Sequence, residues 1–202
     1  MSQSARFSFR QLTRQYGVWV CVGVLTLVAL AAGDSFTEYL RFDREAIAAG
    51  QWWRIFTSHL THLSLNHLLL NVAALALAAY VASPDTPVRV QLAQWCWLFL
   101  VTGGGLWLFA PDLHYYVGLS GALHGAMIIA IAPSPYYSLR VRLIVIAVIT
   151  VKVIWEQTGF YDDMANAGMI GGRTEARAHL FGAIAGLVWV GIAGLWRRYE
   201  QR

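Results

Sequence analysis

Charge is what this sequence has least of. Only 13% of its 202 residues are Asp, Glu, Lys or Arg, where a soluble domain of this size carries about 25%. The shortfall falls in long apolar runs, at about 17–33, 63–82, 92–110, 119–132, 141–157 and 178–196. A helix needs roughly 20 apolar residues to cross a bilayer, and a chain this short cannot bury six such helices in a water-soluble core. Cysteine is scarce as well. Cys21 and Cys96 lie in or beside apolar runs and match neither a disulfide framework nor a metal spacing. No A-x-A processing site with a polar mature domain after it follows the first run, which exceeds a signal peptide's apolar stretch although Arg6, Arg10 and Arg14 precede it. There is no internal repeat of the kind that builds inverted-repeat transporters.

What remains is an all-α membrane protein, a bundle of six transmembrane helices. The sequence predicts a cytoplasmic N-terminal segment over 1–16, a single helical domain over 17–198 and a short cytoplasmic tail over 199–202. With six crossings, Arg6, Arg10, Arg14, Arg89, Arg140, Arg142, Arg197, Arg198 and Arg202 fall on one side, against Asp85 and Glu200. The other side holds Arg41, Arg44, Arg54, Arg173 and Arg177 among eight acidic residues. The positive-inside rule puts the first set, and both termini, in the cytoplasm. The net charge of +4 is thus a topology signal and not a mark of nucleic-acid binding. Gly103-Gly104-Gly105 is expected to loosen the end of the third span, and the polar stretch 158–177 to be a mobile loop.

The fourth span is short. From Ser120 to Ala132 a helix is roughly 20 Å long, against a hydrocarbon core of about 30 Å. With Pro133 at the inner boundary, Ser120 begins its helix below the outer surface, and the irregular segment 111–118 dips into the membrane. Such backbone is tolerated only where protein or a wet cavity surrounds it. Gly118-Leu119-Ser120-Gly121 then places a serine at a sunken helix N-terminus, whose free N–H groups suit an oxyanion. Taken alone, that serine reads sooner as a helix cap than as a nucleophile.

Ala178-His179 opens the last span, and Gly182 and Gly186 share the face of His179. Gly121 and Gly125 form a matching stripe on the fourth span. Two small-residue faces let helices approach closely, which would bring Ser120 and His179 to one depth. A structural histidine at a helix end is the plain alternative, but an ionisable group inside a membrane is a site candidate. His67 and Asn71, one turn apart on the second span, are further hydrogen-bond donors near its outer end. His59, His62 and His67 lack metal-ligand spacing and an accompanying carboxylate, so no metal or cofactor is expected.

Trp53-Arg54, His67-x-x-x-Asn71, Gly118-x-Ser120-Gly121 and Ala178-His179-x-x-Gly182-x-x-x-Gly186 together resemble the rhomboid intramembrane serine proteases. The motifs stand in the family's order along nearly the whole chain, and imply a rhomboid-like six-helix bundle. The resemblance implies Ser120 as nucleophile, His179 as general base, an oxyanion hole of His67, Asn71 and the Ser120 backbone N–H, and a structural loop motif at Trp53-Arg54. Typical rhomboids carry a tyrosine four residues after the serine; His124 stands there in this chain. With the Lys152-x-x-x-Glu156 pair, His124 makes the chain similar to the bacterial rhombosortase branch, which processes exported proteins with C-terminal Gly-Gly membrane anchors. That implies a multi-pass protein of the bacterial inner membrane with its active site toward the outer side. Its partners would be anchored protein substrates and the lipid bilayer. His124 either contacts His179 or is a core histidine bonded to a carbonyl. Lys152 and Glu156 either neutralise each other or contact substrate or the 158–177 loop. No carboxylate is expected beside His179, so a Ser–His dyad is predicted, oriented by packing or by His124. The rival readings are a general rhomboid protease and a catalytically inactive rhomboid-like binder of membrane clients.

Overall fold

The structure, a computed structural model, describes residues 9–200. Arg6 and Arg202, counted above for orientation, lie outside the described residues, as do residues 1–8 of the N-terminal segment and the end of the tail. Each of the six apolar runs falls on a helix: α1 (Phe9–Ala31), α5 (Leu65–Val81), α6 (Val88–Phe109), α7 (Ser120–Ile131), α8 (Leu139–Glu156) and α10 (Ala176–Glu200). Between α1 and α5 lie three short helices, α2 (Asp34–Leu40), α3 (Arg44–Ala48) and α4 (Arg54–Thr57), and a 3-10 turn over Ser58–Leu60. The stretch before α10 carries α9 (Ala167–Ile170).

Among the described residues three helices are long and apolar enough to cross a membrane on their own: Gln11–Ala31, Val88–Phe109 and Ala176–Trp196. Arg54–Leu60 and Leu65–Val81 pass only as a pair bent by 94°. The other two fall short for separate reasons. α7 has 12 residues, about 18 Å of helix, and α8 carries Arg140, Arg142, Lys152 and Glu156 within its 18 residues.

α7 is the hub. Its apolar side chains join those of α1, α5, α6 and α10 in one buried cluster that includes Trp19, Leu75, Trp95, Leu98, Leu123 and Ile129. A smaller cluster of Ile128, Val153 and Ala183 ties α7 to α8 and α10. The glycine faces of α7 and α10 pack backbone to backbone. A Cβ at Gly182 would sit on the carbonyl oxygen of Gly121, one at Gly125 on that of Gly182, and one at Gly186 would come 2.7 Å from the Gly125 Cα. The α6 glycines behave differently from the sequence expectation. α6 runs unbroken to Phe109, and a Cβ at Gly103 would strike the Ile55 carbonyl, so this residue admits α4 instead of loosening the span.

The loops at the Ser120 end of the bundle are stitched to one another. Strands β1 (Phe42–Asp43) and β2 (Tyr115–Tyr116) pair antiparallel, Phe42 opposite Tyr116, and fasten the segment before α7 to the first loop. Arg44 donates to the carbonyls of Leu106, Trp107, Ala110 and Leu113 at 2.8–3.2 Å. These include the Trp107 carbonyl in the last turn of α6, for which Pro111 four residues on has no N–H to offer. Arg54 is buried and donates to Gln51 Oε1 and to the carbonyls of Glu38 and Arg41, while the Trp53 ring lies 5.6 Å from that of Tyr39. The 158–177 stretch is anchored as well as polar: Ser64, the N-cap of α5, donates to the Ile170 carbonyl at 2.9 Å, and Gln157 donates to that of Ala176 at 3.0 Å.

Candidate active site

Ser120 is the first residue of α7, and Leu119 holds the N-cap position. Its Oγ lies 3.0 Å from Nε2 of His179 on α10. The backbone contact between the glycine faces makes this reach possible, since Gly121 and Gly182 follow the two residues by one and three positions. His179 is 6% exposed, and its Nδ1 lies 2.9 Å from Glu156 Oε2 at the C-terminal end of α8. The sequence reading expected no carboxylate there. A carboxylate only accepts, so Nδ1 carries the proton and Nε2 is left to accept from the Ser120 hydroxyl.

His124 lies one turn into α7. Its ring stacks on His179 at 4.3 Å between centroids, and its Nδ1 donates to the Ser120 carbonyl at 2.8 Å. Its Nε2 then accepts from Lys152 Nζ at 2.7 Å, and the same ammonium lies 2.8 Å from Glu156 Oε1. Donor atoms of His124, Glu156 and His179 gather within 4.8 Å of one another, as in a cation site. The cation that His124 and Glu156 hold is the lysine ammonium.

The entry to α7 is fixed from three sides. Gly118 has φ +125°, a conformation that L side chains rarely adopt. Its N–H donates to the Ser58 carbonyl at 3.1 Å, and its carbonyl accepts from the Tyr116 hydroxyl at 2.7 Å. A Cβ here would come 2.9 Å from Cε1 and 3.0 Å from Nε2 of His67, so this imidazole edge bears directly on the backbone before Ser120. The Leu63 N–H approaches His67 Nδ1 at 3.4 Å, which leaves Nε2 as the donor on the Ser120 side. Asn71 sits one turn deeper. Its amide donates back to the His67 carbonyl at 2.9 Å, and the residue is buried below the cavity instead of lining it.

A cavity of about 380 Å³ opens above this floor. Ser120 and His67 line it with Arg41, Tyr115, Tyr116 and residues of the 170–177 stretch. Arg177 bridges Asp112 at 2.6 Å and Glu175 at 2.7 Å across the rim, and its hydrogen bond holds the exposed Asp112 carboxyl below the usual carboxylate range. The serine therefore faces the cavity while His179 stands behind it. A hydroxyl with a buried base at its back and N–H donors beside it is equipped for acyl transfer.

A family model of the rhomboid domain matches residues 49–196. The chain belongs to the rhomboid family. It is therefore a membrane protein of an intramembrane serine protease family, whose substrates are membrane proteins within the bilayer. No curated protein matches the chain.

The sequence motifs carried Ser120, His179, His67 and the glycines to one place. They gave no sign of Arg44, Tyr116 or Ser58, which hold the rhomboid site's entry loop through contacts set by the fold. The sequence offers Glu156 as the partner of Lys152 or as a contact to substrate or the 158–177 loop, not as the partner of His179. Its position at the C-terminal end of the fifth run, the level at which His179 begins the sixth, is the available signal.

Proposed function

We propose that this rhomboid protein crosses the membrane six times, with both termini cytoplasmic, and is an endopeptidase with Ser120 as nucleophile and His179 as general base. The observation that carries this reading is the 3.0 Å approach of Ser120 Oγ to His179 Nε2 under an open cavity. Ser120 Oγ attacks the scissile carbonyl carbon while its proton passes to His179 Nε2. The developing oxyanion is met by the Ser120 N–H, one of the helix's first amides with no carbonyl a turn back, and by His67 Nε2–H. Collapse breaks the C–N bond as His179 gives its proton to the leaving amine, and the acyl-enzyme remains on Ser120. Water then adds to the ester, passing its proton to His179, and Ser120 leaves with that proton to regenerate the hydroxyl.

The substrates are exported proteins held in the bacterial inner membrane by C-terminal anchors that begin with a Gly-Gly segment, as in the rhombosortase branch. His124 and the Lys152–Glu156 pair support the branch. The physical support is that a helical substrate hides its carbonyls in backbone bonds, and glycine lowers the cost of unwinding by about 1 kcal/mol per residue relative to alanine. Cleavage of a Gly-Gly-anchored reporter in proteoliposomes, followed by mass spectrometry of the new C-terminus, tests both levels. Ser120→Ala is expected to abolish cleavage and fluorophosphonate labelling; full cleavage by that variant would sink the reading. Replacing the substrate's Gly-Gly by Leu-Leu is expected to stop cleavage, and unchanged cleavage would return the protein to general rhomboid proteolysis.

A further inference from the structure

We propose that Glu156 is a positioning residue that completes a Ser120–His179–Glu156 triad, held in place by Lys152 and His124. The inference rests on the serine-protease reading above and deepens it. An ion pair made only for mutual neutralisation leaves both ends of the helix surface free to reorient. Here the two ends are unequal. The Glu156 side chain is 3% exposed and that of Lys152 44%, so the carboxylate has turned into the bundle while the ammonium stays at its edge. Each carboxylate oxygen has its own partner, Lys152 on Oε1 and His179 Nδ1 on Oε2. Burying a carboxylate is costly unless charge-assisted hydrogen bonds replace its water, and one of the two replacements comes from the base of the reaction.

The network closes on the nucleophile. Lys152, the only lysine of the chain, also donates to His124, whose Nδ1–H donates to the carbonyl of Ser120. Ser120 is thus gripped at its hydroxyl by His179 and at its carbonyl by His124, while the two imidazoles stack. Glu156 fixes the His179 tautomer that accepts the serine proton, then faces the imidazolium that forms. Lys152 supplies the carboxylate's counter-charge, so the proton taken from Ser120 stays on the imidazole.

In proteoliposomes holding the full-length protein, Glu156→Gln is expected to lower kcat by up to about 10⁴, the loss a carboxamide causes in a serine-protease triad, with KM changed less than about twofold. Fluorophosphonate labelling of Ser120 is expected to slow in proportion, while the unfolding midpoint shows the variant folded. A folded Glu156→Gln with kcat within about threefold of the parent overturns the proposal. A measurement on the unmodified protein needs no variant: nitrogen-15 resonances of labelled His179 are expected to show Nδ1 protonated and Nε2 bare, and the opposite tautomer overturns it. Ser120→Ala run in parallel separates the two readings. An inactive Ser120→Ala beside an active Glu156→Gln removes only the triad, whereas cleavage by Ser120→Ala removes the protease reading itself.

Discussion

α7 and α8 are consecutive helices with opposite surroundings. Nine of the 12 residues of α7 are buried, against two of the 18 of α8. α7 is enclosed by α5, α6, α8 and α10, while α8 turns Ile144, Val148, Val151 and Ile154 outward, each more than half exposed. That outward face is apolar without being packed, so apolar character there does not report packing. The two residues that α8 buries are therefore the informative ones. Val153 packs against Ile128 and Ala183, and Glu156 reaches His179. A helix with so little packing to defend has no packing reason to bury a carboxylate, and this supports the proposed role of Glu156.

The sharpest break in this comparison comes from the buried side. At Gly182 a Cβ would coincide with the Gly121 carbonyl oxygen, and the contact is backbone, so neither helix can yield by a rotamer change. Gly182→Val is expected to cost about 3 kcal/mol or more, at the upper end of overpacking penalties. It should also separate Ser120 from His179. The expected result is a collapsed unfolding midpoint in mixed micelles and no detectable proteolysis. A parent-like midpoint would show that the α7–α10 interface is not the close contact described.

The same contrast explains what could be read from the sequence. Apolar runs and glycine spacing are local, and they located all six long helices, the α7–α10 contact and the serine–histidine pair. His124 and Lys152 were singled out because polar groups stand out inside apolar runs, but the connection Lys152–His124–Ser120 joins α8 to α7 across 28 residues. Glu156 pairs in the sequence with its neighbour one turn away, because i,i+4 spacing is visible there and its 2.9 Å contact with His179 on another helix is not. Arg44 is the same lesson in the loops. Nothing near it in sequence indicates that it will cap α6 some 62 residues later. Three of the six helices lack the length or composition of a free-standing span: α7 has 12 residues, α8 carries four charged residues, and α5 passes only together with the bent segment before it.

A middle-sized effect is expected where α8 does pack. Val153 is 2% exposed, and Val153→Ala removes two methyl groups from its contact with Ile128 and Ala183, costing about 1–2 kcal/mol. Because Val153 lies one turn from Gln157 and next to Lys152, the substitution tests whether α8 is seated by this side chain. A lowered unfolding midpoint with kcat retained is expected. Loss of kcat without loss of stability would mean that Val153 sets the Glu156 position directly.

The smallest effect belongs five residues earlier on the same helix. Val148 is 62% exposed, with no place in the clusters that hold α8 to α7 and α10. Val148→Leu keeps the surface apolar, adds one methylene where nothing must move, and exchanges a β-branched residue for a slightly better helix former. Stability should stay within about 0.5 kcal/mol, and cleavage should be unchanged. The pair is decisive as a pair. If Val148→Leu lowers the unfolding midpoint as much as Val153→Ala, then α8 is packed on both faces, and the burial of Glu156 would no longer stand apart from ordinary packing.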